Sequence, residues 1–293
     1  MSKHLAPDIR DAAMPREKAL TTLTTASARR HTVLWLLFAA FLAFYAVLVV
    51  ESGIHNLPSN SGPQDVPRLS QLEAKADQGV PYREIAEEAQ QIYPWWNNLM
   101  ARIAGTYNAF GSNGSTDPTR HYAGMDTTKK SVLSVHMMLG GVCLVLGVFQ
   151  FWPGFRRKHR QVHRAIGGLY ILSAYTMVAA STYYLVNTTI ADTYQGFAFH
   201  LQLWFLVIST TVTQTLAIYH IKQRNFALHF GFQAYTFAAF LSAPLQRLDW
   251  AVLGWLWPHL SQGEVNNMVN LMAFWQCLLV AYLVYLWNRE SSA

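Results

Sequence analysis

The chain has 293 residues, of which 52% are hydrophobic and only 13% are charged. Soluble domains usually carry about 25% charged residues, so this composition excludes a large soluble core and indicates a membrane protein. The formal net charge is +6. Because the arginines and lysines cluster beside apolar segments and no nucleic-acid-binding motif accompanies them, the charge is typical of membrane orientation.

Six segments are apolar over roughly the 20 residues that a helix needs to cross a bilayer. They lie at about 33–50, 132–152, 165–186, 198–219, 226–243 and 269–287. The first follows Arg29, Arg30 and His31 and is too long for the apolar region of a signal peptide, so we expect an uncleaved anchor. The fold class is therefore all-α: a polytopic membrane protein with about six transmembrane helices and a core of four to five.

Positive charge falls on one side of this arrangement. The short loops between the second and third spans and between the fourth and fifth are rich in basic residues: Arg156, Arg157, Lys158, Arg160, Arg164, Lys222 and Arg224. Basic residues in short loops face the cytoplasm, so both termini are predicted to be cytoplasmic, in a bacterial inner membrane.

The same pattern divides the chain into five parts. We predict a basic cytoplasmic tail (1–32), an anchor helix (33–50), an extracytoplasmic segment (51–131), a five-helix membrane core (132–288) and a cytoplasmic tail (289–293).

Three features outside the core spans have their own predictions. The extracytoplasmic segment begins with an irregular stretch and then shows a helical apolar face over 81–107, which would cap the bundle or lie on the membrane surface. Pro244 is expected to end or kink the fifth span. The apolar segment 250–260 is too short to span and is rich in tryptophan, which is typical of an interfacial or re-entrant cap. Cys143 and Cys277 lie inside apolar helices and are predicted to be packing residues.

Histidine is the most informative residue type, because polar groups at membrane depth are costly and tend to mark function. His136 and His200 lie near the outer ends of the second and fourth spans. His163 and His229 lie at the cytoplasmic starts of the third and fifth. One pair is thus available at each face of the membrane.

Two neutral imidazoles that face each other from separate helices are the ligand set of a bis-histidine haem. The pattern therefore predicts haem b, one or two per chain, with His136 and His200 or His163 and His229 as iron ligands. The alternative is that these histidines lie in the headgroup region and bind nothing. His159 and His163 also have the spacing of a helical metal site, but the further ligands of a non-haem metal centre are absent from the sequence nearby.

This arrangement over residues 132–243 resembles that of the ascorbate-reducible di-haem b-type cytochromes, which place their ligands on four consecutive helices. The resemblance implies electron transfer across the bilayer.

A second resemblance is more specific. It rests on the run 139–151, on Arg156-Arg157-Lys158, on the run 162–170 around His163, and on the run from His229 to Tyr235 followed by Arg247. These motifs are similar to those of a bacterial family of predicted membrane proteins called domain of unknown function 2306. The resemblance implies a topology and not an activity.

Arg247 and Asp249, at the end of the fifth span, would lie near His136 and His200. They form a candidate outer polar pocket, which a quinone or a small lipid could enter from the membrane. The alternative is an interfacial ion pair between Arg247 and Asp249 that only anchors the helix.

Two functions remain open on these observations. The first is a membrane oxidoreductase subunit that moves electrons between a cytoplasmic donor and an outer acceptor. The second is a non-catalytic membrane protein that binds a lipid, a quinone or a partner protein. The basic run 156–164 is either a signal for orientation or a docking surface for anionic headgroups or an acidic redox partner.

Overall fold

The computed structural model describes residues 14–80, 121–193, 196–257, 260 and 262–290. Every regular element in these ranges is helical, which confirms the all-α prediction. The helices are α1 (Met14–His55), α2 (Val66–Asp77), α3 (Thr127–Phe151), α4 (Pro153–Lys158), α5 (Arg160–Val186), α6 (Gly196–Lys222), α7 (Phe226–Leu256) and α8 (Gln262–Glu290), with a 3-10 turn at Pro63–Asp65 before α2.

Five helical segments in the described part are long and apolar enough to cross a membrane. They are Thr32–His55, Thr127–Phe151, Arg160–Val186, Gly196–Lys222 and Glu264–Leu286. Many large apolar side chains on these segments point away from the protein, as lipid-facing residues do. The protein is therefore a polytopic helical membrane protein. The side of the membrane on which its termini lie stays a prediction.

Helix α7 is not one of those five, because His229, Gln233 and Thr236 lower the mean hydropathy of its first half. It nevertheless has 31 residues and passes through Pro244 without ending. Proline removes one backbone donor, which an apolar helix tolerates when neighbouring helices pack against it. The segment 250–256 therefore continues α7 and is not the separate cap that the sequence predicts.

The segment 51–80 contains more helix than its composition predicts. Helix α1 continues to His55, and α2 follows the 3-10 turn. The buried Lys130 of α3 donates to the Ser61 carbonyl at 2.6 Å and so holds this stretch against the bundle. The predicted helix at 81–107 lies outside the described residues.

Capping side chains stabilise the first turns of two helices. The Asp126 side chain accepts hydrogen bonds from the Thr128 and Lys129 amides at the start of α3. The Asn225 side chain accepts one from the Leu228 amide at the start of α7. Both satisfy backbone donors that a helix leaves free. The turn before Asn225 is tight enough to place Arg224 at φ +58°, so α6 and α7 run antiparallel as neighbours.

Four helices form a ring in which α3 packs on α5, α5 on α6, α6 on α7, and α7 on α3. Helix α1 packs outside α3, and α8 packs on α6 and α7. Helices α5 and α7 are diagonal partners, and Tyr170 meets Phe240 between them with ring centroids 5.7 Å apart. Histidines on diagonal helices can therefore face each other across the interior.

The centre of the core is Phe237 of α7, which is fully buried. Its ring stacks on Phe151 of α3 at 4.9 Å and lies directly against Gly147. Cys143 and Cys277 are both buried and free, in agreement with their predicted role as packing residues.

The close approach at Gly147 gives a direct test of this packing. A methyl group there would overlap the Phe237 ring, which is enclosed and cannot swing away. We expect Gly147→Ala to lower the stability by about 1–3 kcal/mol, seen as a lower apparent unfolding temperature in detergent.

The matched control is Gly168→Ala on α5, where a methyl group would meet nothing within 4 Å. Alanine favours a helix over glycine by up to ~1 kcal/mol, so this variant should be neutral or slightly more stable. An equal loss in both variants would contradict the packing of α3 on α7.

Candidate functional site

The end of the bundle at which α3 and α6 finish and α5 and α7 begin is strongly basic. We call it the basic end, and its loops hold Arg156, Arg157, Lys158, Arg160, Arg164, Lys222 and Arg224. The sequence from residue 127 to residue 248 contains a single acidic residue, Asp192, which follows the far end of α5. The basic end therefore has no counter-charge from these loops.

His163 and His229 come together at the basic end. They lie on the first turns of the diagonal helices α5 and α7, close enough to interact electrostatically with each other, and Arg156 is within the same range of both. Both side chains are partly buried. The structure thus brings together the pair that the sequence assigns to the cytoplasmic face.

The tautomer of His229 is fixed by α6. Its Nδ1 lies 2.9 Å from the Ala217 carbonyl oxygen, which can only accept, so Nδ1 carries the proton. In the neutral ring the lone pair is then on Nε2. A histidine held by a backbone carbonyl in this way has the arrangement that proteins use to orient iron and zinc ligands.

His163 is positioned through its backbone. The Gln150 side chain of α3 donates to the His163 carbonyl at 3.1 Å, and Gly167 lets the two helices approach beside that glutamine. The His163 Nδ1 atom is buried and has no hydrogen-bond partner. Buried polar atoms are normally paired, so within the described part of the chain this nitrogen is available to a further group.

Arg156, on α4 outside the membrane-spanning segments, lies over the Phe230 ring with its guanidinium carbon 5.6 Å from the centroid. Burial, followed by repulsion from Arg157, lowers the pKa of Arg156 below its ordinary value. The group stays charged at neutral pH, because the ordinary pKa of an arginine lies far above neutrality.

The other predicted pair is arranged differently. His136 of α3 turns towards α5, where its Nδ1 lies 2.7 Å from the Ser181 hydroxyl and 3.3 Å from the Met177 carbonyl. Its hydrogen bonds are thus made to α5 and not towards the predicted partner helix α6.

His200 uses both of its ring nitrogens within its own part of the chain. Trp204 donates to Nε2 at 3.0 Å, so Nδ1 carries the proton and donates to Thr193 at 2.9 Å. An iron ligand at His200 would first have to displace Trp204. The two histidine pairs therefore differ. At the basic end the Nε2 lone pair of His229 is free, whereas both ring nitrogens of His200 are already hydrogen-bonded.

Arg247 and Asp249 point to different partners. Arg247 donates to the Gln246 side chain at 3.0 Å, whereas Asp249 accepts from Gln276 of α8 at 2.6 Å. Arg247 is exposed and lies within electrostatic range of two phenols, Tyr45 of α1 and Tyr122. Burial raises the pKa of Tyr122, and the charge of Arg247 partly opposes this.

Sequence reasoning missed a group of buried amides next to Arg247. Gln246 donates to Gln202 of α6 and to Asn270 of α8, and these two side chains are 1% and 0% exposed. We call these three residues the amide cluster. Uncharged polar residues inside long apolar runs were the available signal, because such groups are costly at membrane depth. Gln214 of α6 carries the same signal and is buried with both ends of its amide unpartnered.

The described residues contain no group of three or more histidine, cysteine or acidic side chains that could hold a metal ion by themselves. A site with two protein ligands on opposite sides of an iron needs only the two imidazoles, and the macrocycle supplies the other four nitrogens.

Comparison with known proteins supports the topology. A family model described as "Predicted membrane protein (DUF2306)" matches residues 133–285, more than half of the chain. No curated protein and no solved structure matches. The matched region runs from α3 into α8 and includes all four candidate histidines. The protein therefore belongs to the DUF2306 family of predicted membrane proteins, as its motifs around His163 and His229 indicate.

Proposed function

We propose that this protein is a b-haem electron-transfer protein of the membrane, with His163 and His229 as the iron ligands. The observation that carries the proposal is that these two imidazoles lie within electrostatic range of each other at the basic end, on the first turns of helices that are diagonal in the ring. The carbonyl of Ala217 leaves the His229 Nε2 lone pair free for a metal.

The chain would hold the group through fixed side chains. The Ala217 carbonyl fixes the ring of His229, and Gln150 fixes the turn that carries His163. The aromatic rings of Phe151, Phe230 and Phe237 contact one another between the start of α7 and the core. Haem iron, when bound, would accept and release one electron at a time.

A second haem, between His136 and His200, has weaker support. The nitrogens of His200 are already used by Thr193 and Trp204, and His136 bonds to α5. The proposal is therefore for one haem per chain at the basic end, with a donor on the side that this end faces.

We expect protein purified from cells supplied with haem precursor to show a reduced-minus-oxidised b-type spectrum and about one haem per chain by pyridine haemochrome. His163→Ala and His229→Ala should each abolish the Soret band, because each removes one axial ligand. Addition of imidazole to His229→Gly should restore it if the fold is intact.

The matched control is His159→Ala, which removes an exposed histidine from the same basic loop. It should leave the haem content unchanged. A colourless wild-type protein would overturn the proposal, and so would a spectrum that survives both ligand substitutions.

The amide cluster favours a second candidate function, the binding of a quinone or a lipid headgroup near Arg247. Arg247 is exposed, keeps donors beyond its bond to Gln246, and has two phenols nearby. Carbonyl and phosphate oxygens are the acceptors that such donors recognise.

This second function predicts that quinone or lipid co-purifies with the protein and falls at least several-fold in Arg247→Leu, as measured by mass spectrometry of the organic extract. Lys222→Leu removes an exposed charge from the opposite end and should retain the ligand. Equal retention in all three proteins would exclude a site at Arg247.

A further inference from the structure

We infer that Arg156 and His163 form a binding site for an oxyanion, a phosphate or carboxylate group, at the basic end. The inference concerns the Nδ1 atom of His163 and the guanidinium of Arg156, so it does not rest on haem binding. Iron would take Nε2 of the same imidazole and leave Nδ1 available.

The first argument is the missing counter-charge of Arg156. Its guanidinium is partly buried against Phe230, and no carboxylate of the described residues lies against it. Partly buried charges in proteins are normally paired, because removal from water disfavours the charged form. The nearby groups within electrostatic range are Arg157, His163 and His229, none of which supplies negative charge.

The second argument is the geometry of the Arg156 side chain. The guanidinium carbon lies over the Phe230 ring, 5.6 Å from its centroid, in a cation–π contact. Among the described residues no acceptor bonds to the guanidinium N–H groups, so two of them are available for parallel hydrogen bonds. This fork matches the oxygens of a phosphate or a carboxylate.

The third argument is the unpartnered Nδ1 of His163. This buried nitrogen belongs to the first turn of α5, within electrostatic range of Arg156. A neutral imidazole with its proton on Nδ1 would donate it to an oxyanion held by Arg156. One ligand would thus satisfy both the unpaired nitrogen and the unpaired guanidinium.

The start of α5 adds to the attraction. His159 at its N-cap makes no side-chain capping bond, and the first turn contains no acidic residue. The helix therefore directs free N–H groups and the positive end of its dipole towards the same region.

Two sources supply this chemistry, the headgroup of an anionic phospholipid and free phosphate. In nanodiscs of phosphatidylcholine, we expect inorganic phosphate to raise the apparent unfolding temperature in a saturable way, relative to chloride at equal ionic strength. In nanodiscs doped with phosphatidylglycerol, native mass spectrometry would instead show a retained phosphatidylglycerol. A response to inorganic phosphate alone identifies free phosphate as the ligand, and retention of phosphatidylglycerol identifies a lipid headgroup.

Arg156→Gln should weaken the responding ligand about tenfold to a hundredfold, the loss expected for hydrogen bonds to a charged group. Arg156→Lys keeps the charge but loses the two parallel donors of the guanidinium, so its affinity should lie between those of the wild-type protein and Arg156→Gln. Lys158→Gln removes the same charge from an exposed position of the same loop and should change the affinity less than about twofold. The unfolding temperatures of all variants in chloride and phosphatidylcholine check that each is folded.

Equal weakening by Arg156→Gln and Lys158→Gln would show attraction to the basic surface as a whole and would overturn the site. So would the absence of a response to both ligands in the wild-type protein. A positive result in colourless protein would retain the anion site and remove the haem proposal, so the two failures are distinguishable.

Discussion

The contact between Phe237 of α7 and Gly147 of α3 is the tightest approach between these two helices among the described glycines, and it lies near the basic end. This ring lies against Gly147 and stacks on Phe151, and it joins α7 to the end of α3 from which the basic loop begins. Because the loop starts at Trp152, this one packing contact brings Arg156 and His163 to the start of α7.

The low dielectric of the membrane gives weight to the polar side chains that bond to neighbouring helices. His136 bonds to Ser181, Thr213 bonds to Thr236 at 2.8 Å, and the amide cluster joins α6, α7 and α8. An unpaired polar group inside the bilayer costs several kcal/mol, so each such bond fixes the relative position of two helices. The Nδ1 of His163 is one of several buried polar atoms in the described part that lack a partner, and it differs from Ser134, Tyr170 and Gln214 in lying beside the charge of Arg156.

The two ends of the bundle differ in what they offer a ligand. The basic end has two histidines within electrostatic range of each other and a partly buried arginine against which no carboxylate of the described residues lies, and it is the place of the proposed haem and oxyanion. At the opposite end His136 and His200 are hydrogen-bonded to neighbouring side chains. There the proposed ligand of Arg247, beside the amide cluster, is a quinone or a lipid headgroup. An electron carrier at one end and a quinone or lipid at the other are compatible roles for one chain.

The sequence by itself determined the all-α class, the location of the membrane helices, the buried free cysteines and the family, because apolar run length and local motifs depend only on neighbouring residues. It did not determine the ends of the helices, since α1 begins at Met14 and α7 runs on to Leu256. It did not determine that α7 passes through Pro244, nor which nitrogen of each histidine is free. The pairing of Asp249 with Gln276 instead of Arg247, and the amide cluster around Gln246, were also decided by tertiary structure. These features depend on which faces of distant helices meet, and that is set by packing contacts such as Phe237 on Gly147, which no local pattern encodes.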